Sequence, residues 1–243
     1  MNRTKRHAVI AATTALLLAP LAALQAAEFH VATNGKDDHS GTRAAPFRTI
    51  QHAADLAQAG DVITVHDGVY RERINPPRGG TSDTKRITYQ AAPGEKVIIT
   101  GAEVVKGWKK LGGDTWKVSI PNKFFGAFNP FNDLVQGEWC IPTGRHTGAV
   151  YLNGQWLDEA QAPEEVLKPA ARPPCYFARV EDTNTTVWAQ FPAVDPNQSN
   201  VEINVRRSVF YPSQTGINYI TVRGWVQSHL AVADASDASS LWA

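Results

Sequence analysis

Three runs constrain this chain more than any other feature. Val62-Ile63-Thr64-Val65, Ile87-Thr88-Tyr89-Gln90 and Val97-Ile98-Ile99-Thr100 are rich in β-branched residues, and each is bounded by a turn signal: Gly60-Asp61, Asp67-Gly68, Ala92-Pro93-Gly94 or Gly101. Such runs are too short for helices and too uniformly apolar for hairpins with one wet face. They suit strands stacked in parallel sheets, which are buried on both sides. Stacked rungs of this kind make a solenoid, so the expected fold class is all-β, the start of a parallel β-helix. One helix is expected over residues 50–59, where Ile50, Ala53, Ala54 and Ala57 share a face, Thr49 is placed to cap and Gly60 to terminate. It reads as a lid on the first rung. The pair Gly79-Gly80 after Pro76-Pro77 reads as a flexible turn.

After Gly101 the character changes. Five of the seven tryptophans (Trp108, Trp116, Trp139, Trp156, Trp188) and most of the prolines lie in residues 102–200. This stretch reads as an inserted β-rich module with strands near 115–120, 150–157 and 186–191 and a tight-turn signal at Asn153-Gly154. Rung-like runs return at Val201-Glu202-Ile203-Asn204-Val205 and Tyr219-Ile220-Thr221-Val222-Arg223, so rungs are expected to resume over residues 201–229. A small, polar tail of residues 230–243 follows, with no β pattern.

The amino terminus is a separate signal. Arg3, Lys5 and Arg6 precede an apolar run from Ala8 to Ala19, then Pro20 and the small pair Ala26-Ala27. That order reads as a secretory signal over residues 1–27, and its apolar run is shorter than the roughly 20 residues a bilayer span needs. Export to the exterior or the periplasm is the expectation, with no membrane attachment after cleavage. The organisation is then signal 1–27, cap and first rungs 28–101, insert 102–200, resumed rungs 201–229 and tail 230–243. Removing the signal leaves 21 basic and 23 acidic residues, scattered along the chain, which argues against a nucleic-acid partner. The two cysteines, Cys140 and Cys175, either form a disulfide in an oxidising compartment or remain buried thiols.

The motifs along the mature chain resemble a known family. Val31-Ala32-Thr33-Asn34-Gly35, Pro46-Phe47-Arg48-Thr49-Ile50-Gln51 and Gly68-Val69-Tyr70-Arg71-Glu72 look like the start of secreted right-handed parallel β-helix proteins that act on polysaccharides. Pro121-Asn122, Phe124-Phe125-Gly126, Phe128-Asn129-Pro130, Trp139, Val150-Tyr151-Leu152-Asn153-Gly154 and Glu202-Ile203-Asn204-Val205-Arg206-Arg207-Ser208 resemble the β-xylosidases of glycoside hydrolase family 120. The resemblance spans about Glu28 to His229. It implies a retaining exo-glycosidase on plant-type oligosaccharides, with a β-sandwich-like insert that walls the pocket. Retention needs two carboxylates about 5–5.5 Å apart. In such enzymes both come from later rungs, so the resemblance implies a truncated amino-terminal portion with no catalytic residues of its own.

The candidate chemistry within the chain is weak by itself. The adjacent acids Asp37-Asp38, Asp158-Glu159, Glu164-Glu165 and Glu181-Asp182 are poor dyads, because sequence neighbours on a strand face opposite ways. Asn34, Asp37 and Asp38 offer oxygen ligands for Ca²⁺, although a plain turn is the simpler reading. The seven histidines show no metal-ligand spacing, so no resident metal or cofactor is expected. Sugar recognition remains, with an oligosaccharide or polysaccharide as partner. Trp139 offers an indole face for a pyranose ring; Phe128 and Asn129 lie in the nearest specific motif; His229 matches the family's strand exit. Phe124, Phe125, Trp108 and Trp116 are expected in the insert's own core, and Arg206 and Arg207 are expected to tie the insert to the helix. The alternatives are a non-catalytic carbohydrate-binding or scaffold protein and the amino-terminal part of a polysaccharide lyase.

Overall fold

The computed structural model describes residues 26–135, 144–168 and 173–228. Within them lie β1 (Glu28–Val31), α1 (Ile50–Leu56), β2 (Val62–Val65), β3 (Gly68–Tyr70), β4 (Ile87–Ala91) and β5 (Val97–Thr100). The next stretch holds β6 (Ala102–Val104), β7 (Lys109–Gly112), β8 (Thr115–Pro121), β9 (Val150–Leu152), β10 (Gln155–Trp156) and β11 (Asp158–Glu159). Then come α2 (Pro163–Val166), β12 (Cys175–Val180), β13 (Asn184–Gln190), β14 (Val201–Asn204), β15 (Ile220–Arg223) and β16 (Trp225–Ser228).

The β-branched runs pair as parallel rungs. One sheet has the order β1-β2-β4-β15, with Val62 opposite Thr88 and Ile220 opposite Ile87. A second has the order β16-β5-β3, and a parallel bridge from Ile74 to Phe210 forms a third side. Every second residue turns inward, and Val31, Ile63, Val65, Ile87, Tyr89, Val97 and Ile99 fill the solenoid with almost no exposure. At about 25 cal/mol per Å² of apolar surface removed from water, such side chains each contribute roughly 1.5–3 kcal/mol. The outward positions are mixed: Thr88 and Gln90 are partly exposed, Thr64 is buried, and Val62 and Ile98 are apolar. The Gly79-Gly80 turn is tightly packed rather than flexible: a Cβ on Gly79 would lie 1.8 Å from the carbonyl oxygen of Asn218.

Helix α1 is the lid, and its start is over-determined. The Thr49 hydroxyl accepts the N–H of His52, and both oxygens of the Glu72 carboxylate accept the N–H groups of Ile50 and Gln51 at 3.0 Å. The helix stops at Leu56, earlier than the predicted residue 59. Asp61 explains the difference, because its carboxylate takes the Gln58 N–H at 2.8 Å and Ala57 has already turned extended.

The insert is built differently. Strands β10-β9-β14-β6 form one sheet and β11-β12-β13-β8-β7 another, almost wholly antiparallel. Their inner faces meet in a core of Val118, Ile120, Tyr176, Val187, Phe191, Val201 and Ile203, with Trp108 edge-on to Phe191. Strand β14 corrects one expectation. It pairs antiparallel with β9 and β6 and belongs to the insert, so rungs resume only at Phe210. The run from Val150 to Leu157 is likewise a hairpin, folded at Asn153 (φ 52°) and Gly154 (φ 82°), the two left-handed positions a tight turn requires. Phe125 and Trp108 are buried in the core as expected, whereas Phe124 is 40% exposed, since neighbours on a single 3-10 turn cannot both face inward.

Candidate functional site

Two of the expected sugar-recognition residues, Phe128 and Asn129, lie at the start of one part of the insert. Residues 129–135 and 144–148 run as two arms joined by an antiparallel bridge between Leu134 and His146. The base of the arms is rigid. Asn204 on β14 accepts the Ala149 N–H and donates to the Thr147 carbonyl, and the Tyr176 hydroxyl donates to the Gly148 carbonyl at 2.5 Å. His146 is clamped by Glu159, whose carboxylate takes the backbone N–H of His146 at 2.9 Å and meets its Nδ1 at 2.6 Å. Trp139 and Cys140 belong to the segment joining the arms, 136–143, which lies outside the described residues, as does His229. Cys175 is buried with its Sγ 3.5 Å from the Gln190 side-chain oxygen, so the pairing of the two cysteines also lies outside the described residues.

Phe128 and Asn129 open the first arm and have different jobs. The Asn129 side chain is used inside the insert: Oδ1 caps Phe131 N–H at 3.1 Å and Nδ2 donates to Thr185 Oγ1 at 2.8 Å. Phe128 is half-buried, and the Arg207 guanidinium lies 4.7 Å from its ring centroid. Arg207 also approaches Asp133 at 3.6 Å, and the other Asp133 oxygen accepts the Thr147 hydroxyl at 3.1 Å. An apolar ring beside an exposed guanidinium and a carboxylate can offer both a stacking face and hydroxyl partners to a sugar.

The insert is tied to the solenoid by a pair that local sequence pattern does not signal. Arg71, just after β3, donates to Glu202 on β14 at 2.6 Å and to the Ala102 carbonyl at 2.7 Å. Glu202 is buried, so this is a desolvated ion pair in which each partner depends on the other. Of the two expected ties, Arg206 bonds Glu103 at 2.5 Å, near the insert's own edge, and Arg207 reaches Asp133.

The calcium reading of Asn34, Asp37 and Asp38 meets a competing use. The Asp37 carboxylate accepts N–H bonds from Arg48 and Thr49 and the Thr49 hydroxyl, a shell of donors that repels a cation. Burial works against its ionisation, but these bonds outweigh it and hold its pKa below the usual carboxylate range. Glu72, which caps α1, shows the opposite balance: burial pushes its pKa up despite two N–H bonds. Among the described residues, no group of three or more His, Cys, Asp or Glu side chains is arranged to hold a metal ion.

A second cluster went unread in the sequence because its members come from different rungs. Glu95 meets His66 Nδ1 at 3.1 Å, and His66 Nε2 lies 3.0 Å from Nδ1 of His30, whose ring stacks on it. If Glu95 accepts from His66 Nδ1, neutral His66 presents a bare Nε2, His30 donates from Nδ1, and the His30 Nε2 lone pair is left facing Glu28. Burial, with His66 and Arg43, lowers the His30 pKa against the attraction of Glu28. The chain of groups lines an open depression of about 530 Å³ with Arg43 and Thr64.

Comparison with known proteins places these features. Residues 105–203 match the model of the glycoside hydrolase 120 insertion domain, and residues 33–76 match a family of unknown function, DUF1565. The solved complex of XylC with xylose superposes with a TM-score of 0.80 at 44% identity, over 84% of this chain and 35% of that one. The chain is similar to glycoside hydrolase family 120. The matched insertion domain reaches into β14, in agreement with the antiparallel pairing of that strand. Among curated proteins, the uncharacterized protein YwoF of Bacillus subtilis is 39% identical over 75 residues, which is 31% of this chain and 16% of that protein. Pectate lyase PEL9 of Emericella nidulans is 38% identical over 84 residues, 34% of this chain and 20% of that protein. The chain therefore spans about a third of the XylC chain, and each curated match spans a fifth or less of the relative. No helix among the described residues is long and apolar enough to cross a membrane.

Proposed function

We propose that this chain supplies the lid, the first rungs and the pocket-walling insert of an exported exo-glycosidase of the β-xylosidase kind, binding plant-type oligosaccharides through Trp139 and Phe128 while the catalytic carboxylates belong to rungs it does not contain. The observation that carries this reading is the 44% identity, at a TM-score of 0.80, to a protein solved with xylose. The engagement of the described acids supports the second half. Asp37, Asp61 and Glu72 hold backbone N–H groups, Glu159 clamps His146 and Glu202 pairs with Arg71, so none of these is placed as a nucleophile facing an acid/base partner. Asn129 supports the arm that presents Phe128. Residues 1–27 act as the export signal, with Glu28 the first residue of the mature chain.

The test is direct. The purified chain should give calorimetric heat with xylotetraose and release no xylose from it, and Trp139→Ala should weaken binding at least tenfold. Xylose release by the chain alone would overturn the non-catalytic half of the reading, and absence of heat the binding half. A lyase-type reading has one observation in its favour, the pectate lyase match, but that match spans only 34% of the chain.

A further inference from the structure

The outer face of the insert's five-stranded sheet carries a stripe outside the two main cores. Phe177 on β12 sits opposite Trp188 on β13, Trp188 opposite Lys117 on β8, and Lys117 opposite Lys109 on β7. The four residues form one cross-strand row, and at about 4.8 Å per strand the row is roughly 14 Å long. It lies on the outside, because Val187, Ala189 and Tyr176, the sequence neighbours of Trp188 and Phe177, fill the sandwich core, while Phe177 and Trp188 themselves pack toward Cys175 and Val166. Both rings are partly buried there, with part of each still open to solvent. Lys117 Nζ lies 5.1 Å from the Trp188 ring centroid and the Arg179 guanidinium 5.7 Å from it, so two cations flank one indole.

Among the described residues, none of Lys109, Lys117 and Arg179 takes part in an ion pair. Lys117 and Arg179 are positioned by the rings they lie over, and Lys109 and Arg179 are exposed. We propose that this stripe is a surface binding site for an acidic polysaccharide, a neutral sugar backbone carrying carboxylates at intervals. The proposal rests on the glycosidase reading above for its substrate class. The aromatic row takes the apolar faces and edges of consecutive sugar rings, and the unpaired cations take the carboxylates. The mature chain carries 21 basic against 23 acidic residues, so a densely charged strand such as a nucleic acid is repelled elsewhere on the molecule, whereas a sparsely charged glycan is not.

The experiment is native-gel affinity electrophoresis of the full chain in glucuronoxylan, in the same polymer after carboxyl reduction, and in polyuridylate. Retardation by glucuronoxylan well beyond that by the carboxyl-reduced polymer, and none by polyuridylate, is expected. It should fall at least tenfold in Lys117→Glu/Arg179→Glu, partly in Lys117→Gln/Arg179→Gln, and on raising salt from about 20 to about 500 mM, which shortens the screening length. Equal retardation by the reduced polymer, equal retardation by polyuridylate, or no change in the double variants overturns the proposal. Calorimetry with xylotetraose keeps the two readings apart. Heat that survives in the double variants while retardation never appears overturns this site alone, and absence of heat in the parent chain overturns the glycosidase reading.

Discussion

The solenoid and the insert solve the same problem, burying β-branched strands, by opposite means. In the solenoid each strand stacks in parallel on the equivalent strand of the neighbouring rung, and the interior is mostly aliphatic: Val31, Ile63, Val65, Ile87, Val97 and Ile99. In the insert, strands pair antiparallel within two facing sheets, and large rings take a larger share of the interior, with Trp108, Phe125, Phe131, Tyr176 and Phe191. A rung is one strand deep and needs uniform, medium-sized side chains that stack. A sandwich must fill the roughly 10 Å between two sheets, which aromatic rings do well. Among the described residues, the groups whose pKa is lowered in the folded state, His30, Asp37 and Glu95, lie in the solenoid part.

The largest test of this contrast is Phe191→Ala, which removes the ring that Trp108 meets edge-on and should cost about 3–5 kcal/mol. If the two regions are separate cooperative units, urea unfolding should split into two steps, with the earlier one reported by tryptophan fluorescence from the insert. A single shifted step would make them one unit. Next in size is the tie between them: Arg71→Ala takes the guanidinium away from buried Glu202 and should cost about 3 kcal/mol, whereas the double variant Arg71→Met/Glu202→Leu should recover most of that loss in the same melt. Thr49→Ala removes the side-chain cap of α1 and should lower the solenoid step alone by about 1 kcal/mol.

The smallest effect is a pH dependence. Burial, with lesser help from His66 and Arg43, makes folded His30 harder to protonate than in the unfolded chain, where 6.5 is the ordinary value. The unfolded state therefore binds more protons as pH falls through that value, and stability should be flat above about pH 7.5 and decline on acidification. His30→Gln should flatten that decline. Below it, in the carboxylate range, Asp37 and Glu95 should give a second loss, since both have depressed folded values that favour the native state only while they are ionised.

Much of this architecture was legible because it is local. The rung strands, the Thr49 cap and the Asn153-Gly154 turn each announce themselves within a few residues. Partner choice does not. Val201-Glu202-Ile203-Asn204 reads like Val97-Ile98-Ile99-Thr100, yet one pairs antiparallel in the insert and the other parallel in a rung. The Arg71–Glu202 pair joins residues 131 apart, and the Glu95-His66-His30 chain joins three rungs, so no window of sequence contains either. In the candidate site, Phe128 is half-buried beside Arg207, while Asn129 proved to be a helix cap because a 3-10 turn begins at Pro130. The close approach at Gly79 also depends on a residue far along the chain, Asn218.

The place where the insert leaves and rejoins the solenoid bears on how the molecule assembles. Both Val205 and Arg206 donate their N–H groups to the carbonyl of Gly101, at 2.8 and 3.1 Å, so the two ends of a module of about 100 residues meet at one peptide group. Closing an unfolded loop of that length costs about 4 kcal/mol of chain entropy, whereas a module already folded delivers its ends side by side. Synthesis therefore favours an order in which the insert folds first and then acts as a short hairpin, handing Phe210 and β15 to the waiting edge of β4.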